Sequence, residues 1–185
     1  MKRIIRKLLY KFQSMVNPEM IGHSTWNGVP KKGLRISNTS HLSNKKSIHL
    51  GDNVFVGHFN YLDGNSELFI EEGVQVTNYV SIVTHSSHHA IRLLGKEYIS
   101  KFNHDVVVKG KVQIGAYSYI GPHVSIMVGS KIGRGCIVSA FSYVNGIVPD
   151  YSIVRGTPAV VVGSTKEIDN ELLKQYPELQ ECYFE

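Results

Sequence analysis

Residues 106–148 read VVVKGKVQIGAYSYIGPHVSIMVGSKIGRGCIVSAFSYVNGIV. Every sixth residue from Val108 onward is aliphatic: Val108, Ile114, Ile120, Ile126, Ile132, Val138 and Val144. Two positions earlier stand Val106, Val112, Ser118, Val124, Ser130, Cys136 and Ser142, small or branched residues. Side chains two apart on a strand point to one side, so each six-residue unit offers two inward positions, one large and one smaller. Gly115, Gly121 and Gly133 follow three of the aliphatic residues, where the chain must turn and a side chain would obstruct it. The unit is a short strand followed by a corner.

The same rule holds upstream. Leu50, Val56 and Leu62, then Ile70, Val76 and Ile82, are the aliphatic positions, with Val54, Asn60, Leu68, Val74 and Val80 as companions. The step from Leu62 to Ile70 is two residues longer, so the corner DGNSELF takes up the excess. Ile36, Leu42 and Ile48 make a looser first turn. Only residues 84–105 interrupt the pattern at length. A sandwich of alternating strands would not hold a period of six through successive units.

This periodicity resembles the hexapeptide repeat of left-handed parallel β-helix proteins, in which three units complete a triangular coil. Stacked coils bury a continuous aliphatic column and bond backbone to backbone along the stack. An all-β left-handed parallel β-helix is therefore expected over residues 34–163, with a loop insertion at 84–105. Residues 1–33 are expected to form a basic amphipathic helix and the loops IGHSTWNGVPKKG leading into the coils. Residues 164–185 are expected to form a short helix stopped near Pro177, and a tail. The resemblance further implies a homotrimer with ligand clefts between neighbouring prisms.

The chain has 185 residues, enough for one well-buried domain, and no linker-like tract marks a second. With 42 % hydrophobic and 19 % charged residues it has the make-up of a soluble globular protein. Cys136 and Cys182 form no CxxC or disulfide-like framework, and no secretory leader is evident. A cytoplasmic location is expected, and no apolar run is long enough to span a bilayer. The formal net charge of +5 is concentrated early, in MKRIIRKLLYKFQ and KKGLR. Lys2, Arg3, Arg6, Lys7 and Lys11 interleave with Ile4, Ile5, Leu8, Leu9 and Phe12 at helical spacing. Such a helix packs on its own protein or lies peripherally on anionic membrane. No nucleic-acid-binding motif accompanies the charge, so no nucleic-acid partner is expected.

The stretch TNYVSIVTHSSHHAIR, the insertion after it, and IVPDYSIVRGTPAVVVG are similar to the galactoside and maltose O-acetyltransferases and their nodulation-factor and polysaccharide-modifying relatives. His85 matches the histidine that begins the family's HxxHH-like stretch. Moving an acyl group from a thioester to a sugar hydroxyl requires taking a proton from a very weak acid as the new bond forms, and a neutral imidazole suits that task. The resemblance thus makes His85 the catalytic general base, acetyl-CoA the co-substrate and a sugar or glycan the acceptor, with no metal. It aligns Asn60 with an acceptor-binding asparagine; the other reading of an inward polar residue there is a corner or asparagine-ladder role. Asp63, beside Gly64, is either a second acceptor contact or a turn residue. His88 and His89 are further acceptor-site candidates, or solvent-facing.

On the donor side, Tyr119 stands where the family often has tryptophan in a WIG-like motif, and Ser139 and Ala140 match small residues facing pantetheine. Val160 departs from a frequent basic residue after GTPA, so the phosphates of coenzyme A need another cation. Arg155 is the first candidate, ahead of Lys131, Arg134 and Lys166. The remainder of the insertion, AIRLLGKEYISKFNHD, is expected to reach over a neighbouring subunit and shape the acceptor pocket.

The expected function is acetyl-CoA-dependent O-acetylation of a sugar or cell-surface polysaccharide precursor. Alternatives are N-acetylation of an amino sugar or antibiotic, a noncatalytic scaffold, and a γ-carbonic-anhydrase-like zinc protein. The last would draw ligands from His85, His89, His58, His104 and His123.

Overall fold

The structure is a computed structural model that describes residues 4–7, 9, 17–101 and 105–183. Two- and three-residue strands stack in parallel to form three flat faces of a prism. The first face carries β2 (Val29–Ser37), β5 (Phe55–Val56), β8 (Gln75–Val76), β13 (Tyr119–Ile120), β16 (Ile137–Val138) and β19 (Ser152–Gly156). The second carries β3 (His41–Ser43), β6 (Tyr61–Asp63), β9 (Ser81–Ile82), β14 (Ser125–Ile126) and β17 (Tyr143–Val144). The third carries β4 (Ile48–Leu50), β7 (Leu68–Ile70), β12 (Val112–Ile114), β15 (Lys131–Ile132) and β18 (Ile147–Val148).

The six-residue rule explains the core. Val56, Leu62, Ile70, Val76, Ile82, Ile114, Ile120, Ile126, Ile132 and Val138 are all buried, with the companions Val54, Leu68, Val74, Val80, Val112, Ser118, Val124, Ser130 and Cys136 beside them. Inward serines are satisfied rather than stranded: Ser118 Oγ donates to the Gly133 carbonyl at 2.8 Å. Backbone bonds run from coil to coil, as from Tyr61 N to Val80 O and Ser81 N to Val124 O, both 2.9 Å.

The coils are not of equal length. Leu42, Leu62 and Ile82 stack in register at intervals of twenty residues, and the excess falls at the corner between the second and third faces. Leu42 to Leu50 therefore repeats the long step expected only from Leu62 to Ile70. The insertion leaves from this same corner one coil later. Its stem is an antiparallel pair, β10 (His85–Ser86) with β11 (Val108–Lys109), and α1 (Ala90–Leu94) lies beyond it. Val108 consequently belongs to the stem and Val107 is the buried residue, so the regular series begins at Val112 rather than at Val106 and Val108.

At the corner between the first and second faces, Phe59, Tyr79, His123 and Phe141 hold φ between 57° and 60°, a left-handed conformation uncommon for bulky residues. Their rings stack in sequence at centroid distances of 5.2, 4.9 and 4.7 Å.

Both ends of the stack differ from the expectation. IGHSTWNGVPKKG is not loop: β1 (Met20–Trp26) folds antiparallel on β2 and crosses the first coil, where Trp26 Nε1 donates to the Ile48 carbonyl at 2.6 Å. At the other end β20 (Ala159–Ser164) runs antiparallel to β19, so the parallel coil ends at Gly156 rather than 163. α2 (Thr165–Gln175) follows, anchored by Thr165 Oγ1 on the Gly135 carbonyl at 2.8 Å. It stops before Pro177 as the sequence predicts. Residues 4–7 and 9 are helical and exposed. Lys2, Arg3, Leu8, Lys11 and Phe12 of the amphipathic pattern lie outside the described residues. Among the described residues no helix is long and apolar enough to cross a membrane.

Candidate active site

The long corner between the second and third faces builds a seat for one imidazole. Ser43, Asp63 and Thr84 come together there from three successive coils, and so do Asn44, Asn65 and His85. Thr84 is wholly buried, and its carbonyl accepts from Gly110 N at 3.0 Å, closing the base of the insertion. His85, the next residue, pairs with Lys109 across the stem. Its backbone is thereby fixed on both sides, while its side chain is 25 % exposed.

Asp63 is fully buried and lies 2.6 Å from His85 Nδ1 through Oδ2. Oδ2 also accepts from Thr84 N at 2.9 Å and Thr84 Oγ1 at 3.0 Å. Oδ1 accepts from Asn65 N at 3.0 Å, Asn65 Nδ2 at 2.7 Å and Ser43 Oγ at 3.1 Å. Burial by itself would raise the carboxyl's pKa. Hydrogen bonds from His85, from the backbone of Thr84 and Asn65, and from the Thr84 hydroxyl overturn that and hold it well below the usual carboxylate range. An ionised carboxylate only accepts, so Nδ1 of His85 carries the donated hydrogen. In the neutral ring this leaves the lone pair on Nε2, which has no partner among the described residues. Asn65 Nδ2, 3.2 Å from the same Nδ1, lies beside a nitrogen already protonated and cannot donate to it.

These facts bear on two residues expected at the acceptor site. Asp63 cannot contact an acceptor sugar, because it is buried and both oxygens are engaged. Its carboxylate instead closes the turn to Asn65 N and fixes the Nδ1 side of the His85 ring. Asn60 is 3 % exposed, donates from Nδ2 to the Thr77 carbonyl at 2.7 Å and accepts at Oδ1 from Val80 N at 2.7 Å. It is the bracket that ties two coils together, with its carbonyl lone pairs and amide turned inward rather than towards a ligand.

His88 and His89 are exposed at the base of the arm. Arg92 Nη2 lies 2.9 Å from His89 Nδ1, the two Nε2 atoms are 3.1 Å apart, and His88 Nδ1 is 2.7 Å from Ser86 Oγ. Arginine only donates, so neutral rings would order as Arg92 to His89 to His88 to Ser86. Of the other histidines, His58 Nδ1 lies 2.6 Å from Ser37 Oγ and His123 is stacked between Tyr79 and Phe141. Neither approaches His85 in a metal-binding group. His104 lies outside the described residues, among which no three ligating side chains cluster.

The donor-side residues gather elsewhere. Tyr119, 44 % exposed, lies on β13 of the first face. Ser139 and Ala140 form the corner after β16, packed so closely on Gly121 that a methyl group there would meet Ala140 N at 2.8 Å. Arg155 on β19 is exposed opposite Val160 of β20. Lys166 and Arg134 instead flank Tyr151, and Lys131 is on the third face. Within one chain, His85 and the donor-side residues therefore occupy different corners of the prism.

Comparison with known proteins places this geometry in context. A scan against protein-family models finds no match. A probable acetyltransferase of Mycobacterium tuberculosis is 30 % identical over 127 residues, covering 63 % of this chain and 37 % of that protein. The chain thus matches little more than a third of this relative's length. An Escherichia coli protein named for lipopolysaccharide-biosynthesis O-acetyl transfer is 28 % identical over 66 % of this chain and 74 % of its own. Among solved structures, a hexapeptide-repeat acetyltransferase of Vibrio cholerae superposes with a TM-score of 0.59 and 26 % identity, over 68 % of this chain and 67 % of that one. It has also been solved with acetyl coenzyme A. A galactoside acetyltransferase in complex with coenzyme A, at 24 % identity and TM-score 0.59, covers 71 % of this chain and 62 % of its own. An N-acyltransferase of Bacillus cereus, at 23 % and 0.56, covers 78 % and 90 %. These last two speak to the fold alone.

Proposed function

We propose that this member of the hexapeptide-repeat acetyltransferase family transfers an acetyl group from acetyl-CoA to a hydroxyl of a sugar or of a cell-surface glycan precursor. The observation that carries the reading is the Asp63–His85 pair, which turns an unencumbered imidazole nitrogen towards solvent at the root of a long arm. In this mechanism Nε2 of His85 takes the acceptor's proton as its oxygen attacks the thioester carbonyl. The C–S bond then breaks and the proton passes to the departing thiolate. Asp63 keeps the donor hydrogen on Nδ1 and offsets the charge of the transient imidazolium. It does not become protonated itself, because its other bonds already hold it as an anion.

The donor binds along the first face, with Tyr119 as an aromatic wall, the backbone of Ser139 and Ala140 against pantetheine, and Arg155 near the phosphates. Since these residues and His85 sit on different corners, the complete site forms between two copies of the chain, as in a homotrimer. His88 and His89 border the acceptor cleft. The named relation to lipopolysaccharide O-acetylation favours a hydroxyl over an amine.

Acetyl transfer to paired hydroxy and amino sugars tests this directly. Hydroxy sugars are expected to be acetylated, with His85→Ala reducing turnover by about 10²- to 10⁴-fold. Binding is checked separately by thermal unfolding: acetyl-CoA at about 100 times its dissociation constant should add roughly 2.7 kcal/mol of stability. Activity unaffected by His85→Ala, or no thermal response to millimolar ligand, would reject the reading.

A further inference from the structure

A buried, ionised Asp63 in contact with His85 raises a difficulty. A negative charge that close favours the imidazolium, and an imidazolium is no base. Donors that share the charge of Asp63 weaken that pull. The remaining members of the seat are the bonds that spread the charge of Asp63 over other donors, and Asn65 stands apart among them. It supplies two hydrogen bonds to Oδ1, one from its backbone and one from Nδ2. The same Nδ2 lies 3.2 Å from the ring nitrogen of His85. An amide NH₂ is a donor only, so the positive end of its dipole faces the imidazole whichever protonation state the ring adopts.

The orientation of that amide is itself imposed. Asn44, one coil earlier and with φ of 47°, donates from Nδ2 to Asn65 Oδ1 at 2.6 Å. The carbonyl of Asn65 is thereby held away from His85 and its NH₂ group towards it. Asn44, Asn65 and His85 occupy the same corner on three successive coils, so the imidazole ends a ladder of side-chain amides.

Among the described residues, other charges near His85 are few. Lys109 faces it across the stem from β11. The corner of Asn65 carries Glu67, which is 3.9 Å from His49. On the arm, His88, His89 and Arg92 engage one another and Ser86. β9 brings no charged group to the ring, and from β6 only Asp63 meets it.

We propose that Asn65 is a positioning residue that holds His85 in its neutral, proton-accepting form against the pull of Asp63. The assignment rests on the acetyl-transfer reading for its purpose, but its physical content is separate. Removing the amide has two effects of the same sign: the charge on Asp63 is less shared, and the donor dipole beside the ring is lost. Both favour the imidazolium.

The test is an NMR titration of the His85 ring in the full-length protein, its Asn65→Ala variant and Asn44→Gly, with the pH dependence of kcat/KM measured in parallel. Asn65 is exposed, so its truncation spares the core. Glycine at position 44 keeps the left-handed conformation available. In Asn65→Ala the protonation midpoint of His85 is expected to move up by about 0.5 pH unit or more. The acid limb of kcat/KM should move to higher pH by the same amount. Asn44→Gly should give a smaller shift in the same direction. A midpoint in Asn65→Ala that is unmoved or lower overturns the proposal, and so does a loss of kcat at every pH without a moved midpoint. A midpoint that moves in a protein whose parent acetylates no sugar would sustain the role of Asn65 and reject acetyl transfer.

Discussion

Asp63 and His85 are 22 residues apart in sequence and 2.6 Å apart in space. Replacing Asp63 by Asn keeps the shape of the seat but removes its charge, so Nδ1 is no longer obliged to hold the proton. Turnover is expected to fall by about 10²- to 10⁴-fold, an effect comparable with losing the base itself. The same substitution has a signature in stability. The unfolded chain protonates Asp63 near the ordinary value of about 4, while the native carboxylate resists protonation to far lower pH. Below about pH 4 the unfolded state therefore binds more protons, and the stability contributed by Asp63, complete above that pH, drains away as acid is added. Thermal unfolding from pH 7 down to pH 3 should show a steeper acid decline in the parent than in Asp63→Asn. Equal slopes would mean that the carboxylate is not held as an anion.

At the level of the coil, corners set what the strands can do. Gly115 illustrates the constraint: a Cβ there would lie 2.5 Å from Arg134 N and 2.6 Å from the Gly133 carbonyl carbon, both backbone atoms that cannot yield without parting two coils. Gly115→Ala should lower the midpoint of denaturant unfolding by several times the change in Gly22→Ala, whose added methyl meets nothing within 4 Å. Comparable losses would show that the corner tolerates more than close packing allows. The period of six was legible because Ile114, Ile120, Ile126 and Ile132 each fill the same inward place and leave no alternative phase. His85 drew attention through its motif and its place at the start of an interruption, and the structure seats it against Asp63 at the root of the stem. Asp63 was not recognised as its partner, since a hexad count places it merely after Leu62. Only the twenty-residue coil, measured by the stacking of Leu42, Leu62 and Ile82, sets Asp63 beneath Thr84 and His85. Asn60 misled for the opposite reason, because an inward asparagine looks alike in sequence whether it binds a ligand or braces two coils. The hairpins at the ends were missed because β1 and β20 obey no six-residue rule.

For the whole molecule, the proposed function together with the separation of His85 from Tyr119, Ser139, Ala140 and Arg155 predicts that each chain contributes halves to two different sites. His85→Ala and a variant with a blocked donor groove, Ala140→Trp, should each be inactive alone. Mixed assemblies prepared by joint refolding should recover activity, because some junctions would then pair an intact His85 with an intact groove. No recovery in mixtures shown to contain both chains would place the entire site within a single copy.

The two antiparallel hairpins carry a consequence of their own. A stack of parallel rungs is a crystal one molecule wide, and nothing in its repeat specifies a length, since the top rung of any stack is a template for the next. β1 and β20 reverse the chain direction at opposite ends and so offer an arriving parallel rung the wrong polarity. They act as growth inhibitors bonded to the crystal they terminate. On the first face, the stack is thereby closed to further parallel rungs at both ends.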